Sequence, residues 1–306
     1  MSAPGLGVAL DRLLDLVAEL QGRRTVSELS GGLTNRNYRV TSDAGDFVVR
    51  VSPRESDALS IDRHHEHANT VRAAEAGVGA PVVAFLPDDG LLVLRYIDAV
   101  TFSDESFTVP GTVRRVAGAI RQLHSGPRFV NDFDMFEIQP QYLAMVRRHG
   151  FRLPQGYDDF APHVARIASA LAVNDEGTVP CNNDLLAANF LDDGEKIWLI
   201  DYEYAGNNDA CFELGNVWSE CHLTSEQLEE LVGTYYGRPL RNKVARAQLH
   251  GLMSRYGWTL WASIQHASST LDFDFWGWGM EKYDRAVAVF TSSTFDRLLD
   301  EVQRPD

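Results

Sequence analysis

The residues whose types and spacing could do chemistry are Asp184, an asparagine five positions later, Asn189, and a second aspartate twelve positions beyond that, Asp201. Between the last two, the chain reads Phe190-Leu191, a turn at Asp192-Asp193-Gly194, and the apolar run Ile197 to Ile200. Such a hairpin folds the end of its second strand back beside the start of its first, so residues twelve apart can share a metal. Phosphoryl transfer from a nucleotide needs this set. One carboxylate orients a hydroxyl and accepts its proton, and hard oxygen ligands hold magnesium on the phosphates. Asp184 is the candidate base, with Asn189 and Asp201 the candidate metal ligands. Taken singly, Asp and Asn more often cap turns. The joint spacing, followed by Tyr202-Glu203-Tyr204-Ala205-Gly206, sets these three apart.

The elements that must position them fall into two groups. Thr25 to Leu29, Asn37 to Thr41 and Asp46 to Ser52 read as strands, separated first by Ser30-Gly31-Gly32-Leu33-Thr34-Asn35 and then by Asp43-Ala44-Gly45. Helical spacing over Ile61 to Ala76 ends at Gly77-Val78-Gly79, and two further strands, Pro81 to Leu86 and Leu91 to Tyr96, flank Pro87-Asp88-Asp89-Gly90. Residues 1–96 therefore predict a small antiparallel sheet with one inserted helix. Residues 97–306 predict a mainly helical domain, with helices over Val113 to His124, Gln139 to Arg148, Ala161 to Ala172, Ser225 to Tyr236 and Val244 to Ala267. The expected fold class is α+β, with two lobes. Gly31 and Gly32 leave backbone N–H groups open to phosphate oxygens, a signal that ordinary turns also carry.

Near the C-terminus, Trp258 and Trp261 share one helix face, and four of the six tryptophans lie within 21 positions. Aromatic faces attract a quaternary ammonium through their quadrupole, and such rings beside a carboxylate form a cation site. The 28 Lys and Arg against 43 Asp and Glu give a formal charge of -15, which repels nucleic acid and anionic lipid and favours a cationic or neutral small molecule. Three scattered cysteines predict reduced thiols rather than a disulfide or zinc framework. Met1 to Leu20 carries acids among its leucines and reads as an amphipathic helix rather than a signal peptide. No apolar stretch approaches the roughly 20 residues of a membrane span. A cytoplasmic protein without membrane attachment is expected.

Asp184 and Asn189 followed by Asp201-Tyr202-Glu203-Tyr204 resemble the choline/ethanolamine kinase family, within the wider aminoglycoside-phosphotransferase and protein-kinase-like fold. The resemblance extends over Ser30 to Asn35, Val48-Val49-Arg50-Val51, Ile61-Asp62-Arg63 with Glu66, Leu123-His124-Ser125 and Phe212-Glu213-Leu214-Gly215-Asn216. It implies ATP between two lobes near Tyr96 to Asp98, magnesium as cofactor, and nucleotide contacts from Gly31, Gly32, Asn35 and Arg50, with Glu66 holding Arg50. It also implies an acceptor site of Glu220, Trp258, Trp261, Gln265, Phe273 and Trp278 for choline or a related amino alcohol. A homodimer is compatible with it, although no exposed apolar stripe demands one.

Three departures bear on this. Asn182 stands where the family usually has His two residues before the catalytic Asp. The tyrosine expected soon after Glu220 is missing, and Trp278 stands where Tyr is usual. Two rival readings follow: an amino sugar or aminoglycoside as acceptor, and a nucleotide-binding regulatory protein without catalysis. His64 and His67, on one helix face, raise a metal-site reading that lacks a second ligand cluster.

Overall fold

The computed structural model describes residues 10–29, 35–52 and 61–305. Five strands, β1 (Arg24–Leu29), β2 (Arg36–Ser42), β3 (Gly45–Val51), β4 (Val82–Leu86) and β5 (Leu91–Arg95), form one antiparallel sheet in the order β1-β2-β3-β5-β4. Alternation along the strands sends Tyr38, Val40, Phe47, Val49, Leu91 and Val93 to one face, where Leu14, Val17 and Leu20 cover them. The neighbour of Val49, Arg50, points to the opposite face, towards the rest of the molecule. The N-terminal helix is seen only in part, as a helical turn over residues 10–14 and a 3-10 turn at Ala18–Leu20.

Helix α1 (Arg63–Glu75) is inserted between β3 and β4, and the Asp62 side chain caps it by accepting from the backbone N–H groups of His64 and His65. His64 and His67 both pack on the ring of Phe85, at centroid distances of 5.6 and 4.2 Å, so the helix face they share is an aromatic contact.

The larger lobe contains α2 (Thr112–His124), α3 (Met135–His149), α4 (Ala161–Leu171), α5 (Ala210–Glu220), α6 (Ser225–Tyr236), α7 (Arg241–Ser268), α8 (Phe275–Phe290) and α9 (Ser293–Val302). Short strands join them. β6 (Val100–Thr101), β8 (Phe190–Asp192) and β9 (Ile197–Leu199) form one sheet, while β7 (Val179–Cys181) pairs with β10 (Gly206–Asn208). Helix α7 is buried on nearly every side from Ala245 to Gln265, as expected of a helix at the centre of a bundle. It approaches α5 backbone to backbone. A Cβ on Gly215 would collide with the carbonyl oxygen of Ala247, and one on Gly251 would lie 2.7 Å from that of Gly215.

Among the described residues six helices, α1 to α4, α6 and α7, fall where the sequence predicts them, within a few residues at the ends, and three others, α5, α8 and α9, do not follow from its spacing. Helix α3 starts at Met135 rather than Gln139, because Asp134 accepts from the N–H of Phe136 and the first turn survives the missing donor at Pro140. All three cysteines are buried and free, as expected of reduced thiols.

A buried ion pair anchors α5 to α7. Asp209 Oδ2 accepts from Arg246 Nε at 2.6 Å and lies 3.3 Å from His250 Nε2, while its Oδ1 caps α5 at the N–H of Cys211. Burial alone would raise the Asp209 pKa, but His250 and Arg246 outweigh it and hold the carboxyl well below the usual range. A depressed native pKa stabilises the fold above the unfolded value and loses that contribution as pH falls. Asp209→Asn is therefore expected to cost about 3 kcal/mol at neutral pH. Urea midpoints should show the gap to wild type narrowing below about pH 5.

Candidate active site

The hairpin β8–β9 registers Phe190 with Leu199 and Leu191 with Trp198, and Ile200 N–H donates to the carbonyl of Asn189 at 3.1 Å. Asn189 and Asp201 are therefore neighbours across the base of the hairpin, as their spacing predicts. Asn189 Nδ2 donates to the Asp184 carbonyl at 2.7 Å, which ties the loop end to its start and leaves the amide oxygen as an acceptor. Asp201 adopts a left-handed conformation, φ 65°, that turns the chain sharply at the strand end.

Asn182 joins these pieces. Its Nδ2 donates to the carbonyls of Ile200 and Asp201, at 3.1 and 2.9 Å, and its Oδ1 accepts from the N–H of Asp184 at 3.1 Å. One fully buried amide thus holds the candidate base and the Asp201 segment together.

Two residues that the sequence gave no role support the loop from behind. Glu213, fully buried on α5, accepts the backbone N–H groups of Asn182 at 3.0 Å and Asn183 at 2.7 Å. Asn183, at φ 68°, donates to the carbonyls of Cys181, Tyr204 and Gly206. Glu213, His124 and Cys181 together have ligand atoms within 4.8 Å of one another. They are spoken for by other partners, however: Glu213 by the two amides, and His124 by Tyr235 at 2.8 Å. The cluster reads as a structural knot rather than a metal centre.

On the facing lobe, Arg50 Nη1 pairs with Glu66 at 2.6 Å and with Asp201 Oδ1 at 2.8 Å. Burial pulls against the charge on Arg50, but the carboxylates of Asp201, Glu66 and Glu203 hold it firmly ionised. The expected Arg50–Glu66 pair is present, and it extends further than expected. Arg63 links Glu66 at 2.7 Å to Glu203 at 3.3 Å, and Asn35 Nδ2 donates to Glu203 at 2.9 Å. Asn35 thus fastens the small lobe to the large one. Gly31 and Gly32 lie outside the described residues. A narrow cleft between Ala80, Leu92 and Leu94 above and Leu199 and Ile200 below opens on Arg50 and Asp201. Beside it, Tyr96 carries the guanidinium of Arg39 4.0 Å from its ring centroid.

Asp184 is half-buried. Burial, then the carboxylates of Asp201, Glu220 and Glu203, push its pKa well above the usual carboxylate range, against the pull of Lys282. Acids gathered around Asp184 in this way favour an added cation, and carboxylate and amide oxygens are the hard donors that magnesium prefers.

Of the acceptor-site candidates, the structure gathers Trp258, Trp261, Trp278 and Glu220. Trp261 stands edge-on to Trp258 at 6.5 Å and to Trp278 at 5.6 Å, and its Nε1–H donates to Tyr204 at 2.7 Å. Trp258 is the most inward of them, packed against Phe133 and Tyr204. Gln265 is buried one turn beyond Trp261 on α7. Phe273 is 42% exposed and packs on Phe275 at 4.9 Å, which places it on the rim. Lys282, which the sequence analysis passed over, reaches Glu220 Oε2 at 2.5 Å with its Nζ 4.0 Å from the Trp278 ring centroid. Its position one helical turn after Trp278 was the available signal.

Residues 25–251 match the model of a phosphotransferase enzyme family. A crystal structure of a choline/ethanolamine kinase family protein from Mesorhizobium loti superposes with a TM-score of 0.84 at 34% identity, covering 96% of this chain and 99% of that one. The chain belongs to the phosphotransferase enzyme family, on its choline/ethanolamine kinase branch. Protein LicA of Haemophilus influenzae is 25% identical over 247 residues, covering 77% of this chain and 72% of its own. Ethanolamine kinase 2 of Rattus norvegicus is 25% identical over 295 residues, covering 84% and 74%. As a member of this branch, the chain is an ATP-dependent phosphotransferase with an alcohol acceptor, in the two-lobed protein-kinase-like fold. Among the described residues no helix is long and apolar enough to cross a membrane.

If Asn182 acts only as the brace described, Asn182→His should change turnover by less than about tenfold. Asn182→Ala, which strips Asp184 and Asp201 of their shared partner, should lower stability by about 1–3 kcal/mol. It should also lower turnover by about 100-fold, the order seen when reacting groups lose their alignment. Steady-state ADP release and thermal melts of both variants check this.

Proposed function

We propose that this kinase transfers the γ-phosphoryl group of ATP to the hydroxyl of choline, ethanolamine or a closely related amino alcohol. The reading rests on one juxtaposition. Glu220 and Trp278, which line one cavity and share the Lys282 ammonium, stand beside the half-buried Asp184, whose carboxyl feels the charge of Glu220. A cationic head held at the first would carry a hydroxyl towards the second. That amino-alcohol kinases are among the relatives supports the same acceptor class.

Residues 1–96 form the nucleotide-binding lobe in this reading, and 97–306 the catalytic and acceptor-binding lobe. Asp184 orients the acceptor hydroxyl and takes its proton as the oxygen attacks. Its raised affinity for a proton suits that task, since the proton must rest on the carboxylate while the phosphoryl group moves. Asn189 and Asp201 are the residues that would hold magnesium. When bound, magnesium would neutralise phosphate charge and align the γ-phosphoryl group for in-line transfer. Arg50, steadied by Glu66, presents its guanidinium to the phosphates. Trp261 and Trp278 shield the head group from water, and Glu220 balances its charge. Such chemistry on a soluble metabolite fits a cytoplasmic enzyme.

Asp184→Ala should lose about 10²–10⁴-fold in turnover, the usual contribution of a general base, while nucleotide affinity stays near that of the wild type. A coupled ADP-release assay with choline, ethanolamine and an aminoglycoside, alongside calorimetric nucleotide titration, measures both. Wild-type turnover in the variant would overturn the role of Asp184. Turnover of the aminoglycoside alone would overturn the acceptor class.

A further inference from the structure

The cation site is already filled from within the chain. Lys282 lies one turn after Trp278 on α8, so the helix itself carries its stem beneath the indole. Its ammonium satisfies both features that would hold an acceptor's head group, the Glu220 carboxylate at 2.5 Å and the Trp278 face at 4.0 Å. Both side chains are about nine-tenths buried, at 10% exposure for Lys282 and 8% for Glu220. Arg285 pairs with Glu281 at 2.6 Å. Arg255 donates to Ser219 at 2.8 Å with its guanidinium over the Trp218 ring, and it feels the charge of Glu220 without an ion pair to it. Among the described residues Lys282 is the cation in direct contact with Glu220. One Glu220 oxygen, Oε1, is buried with no hydrogen-bond partner, so the carboxylate keeps spare accepting capacity.

We propose that Lys282 is a built-in competitor for the acceptor's cationic group, seated on Glu220 and Trp278 in the free enzyme and displaced when an amino alcohol binds. The inference rests on the amino-alcohol reading and deepens it. Two unit positive charges cannot share one buried carboxylate without strong mutual repulsion in a dry pocket. The flexible four-carbon stem lets the ammonium shift without moving the helix, within a cavity of ≈ 70 Å³ that Glu220, Trp278, Glu281 and Lys282 itself line. Lys282 thereby sets the acceptor KM, and it sets how sharply the site separates a charged acceptor from a neutral one. With the site's charge already balanced, a cation gains less over an uncharged molecule of the same shape.

The test measures KM and kcat of wild type, Lys282→Met, Lys282→Gln and Lys282→Arg with choline, with ethanolamine, and with 3,3-dimethylbutan-1-ol, the uncharged counterpart of choline. Met and Gln should lower KM for the two charged acceptors about tenfold and leave that of the neutral alcohol within about twofold, a split that a loss of pocket structure does not produce. Arg, which keeps the charge, should stay close to wild type. The Gln variant still donates to Glu220, which guards against a Met variant that fails to fold. If KM for the charged acceptors stays the same or rises in folded Met and Gln variants, Lys282 supports Glu220 and the proposal is overturned. Should the wild type turn over none of these alcohols, the amino-alcohol reading fails on its own. Calorimetric titration with tetramethylammonium then decides Lys282 separately, because tighter binding in the neutral variants supports displacement and equal or weaker binding refutes it.

Discussion

The carboxylate of Asp184 feels those of Asp201, Glu203 and Glu220, in a protein that already carries an excess of negative charge. Left to themselves the four would repel one another and loosen the larger lobe that carries them all. The fold contains them with a short chain of positive charge, in which Arg50 takes Asp201, Arg63 takes Glu203, and Lys282 takes Glu220. Among the described residues Asp184 is the one of the four without a paired cation, and burial together with its neighbouring carboxylates raises its proton affinity. That imbalance is what the proposed role of Asp184 as proton acceptor draws on.

Holding the acids at fixed positions falls to neutral hydrogen bonds and one acid behind them. Glu213 accepts two consecutive amides from the catalytic loop, Asn183 donates to three carbonyls of the strands beside it, and Asn182 spans the loop and the Asp201 turn. Left-handed backbone at Asn183 and Asp201 lets both segments turn within one residue, and such strain persists only where surrounding bonds fix it. A histidine at position 182 would supply a single ring in place of an amide that both donates and accepts, so the asparagine is a full substitute in hydrogen-bonding capacity.

The small sheet and the hairpin that brings Asn189 and Asp201 together were legible because both are local. Strand alternation and glycine turns mark the first, and hairpin pairing fixes the second within 18 residues of chain. Helices α5 and α8 escaped the periodicity because Gly215, Gly277 and Gly279 interrupt it. At least two of those glycines are there for contact, Gly215 against Ala247 and Gly279 against Ala262. The parts of Glu213, Asn183 and Arg63 depend on partners 20 to 140 positions away, and no spacing rule carries that information. The tryptophans and Glu220 that the structure gathers could be named in advance. The exposure of Phe273 could not be told from its type alone, and Lys282 looked like any polar residue on a helix.

Arg50 touches Glu66 of the small lobe and Asp201 of the large one through a single nitrogen. In the proposed reading, the grip on the nucleotide's phosphates and the placement of an ion ligand would thus be set by one atom. Inherited variation at Glu66 or Asp201 cannot then act on affinity or rate separately. Substitutions at the two positions should be epistatic across the lobe boundary, and this corner of the enzyme has to drift as a unit.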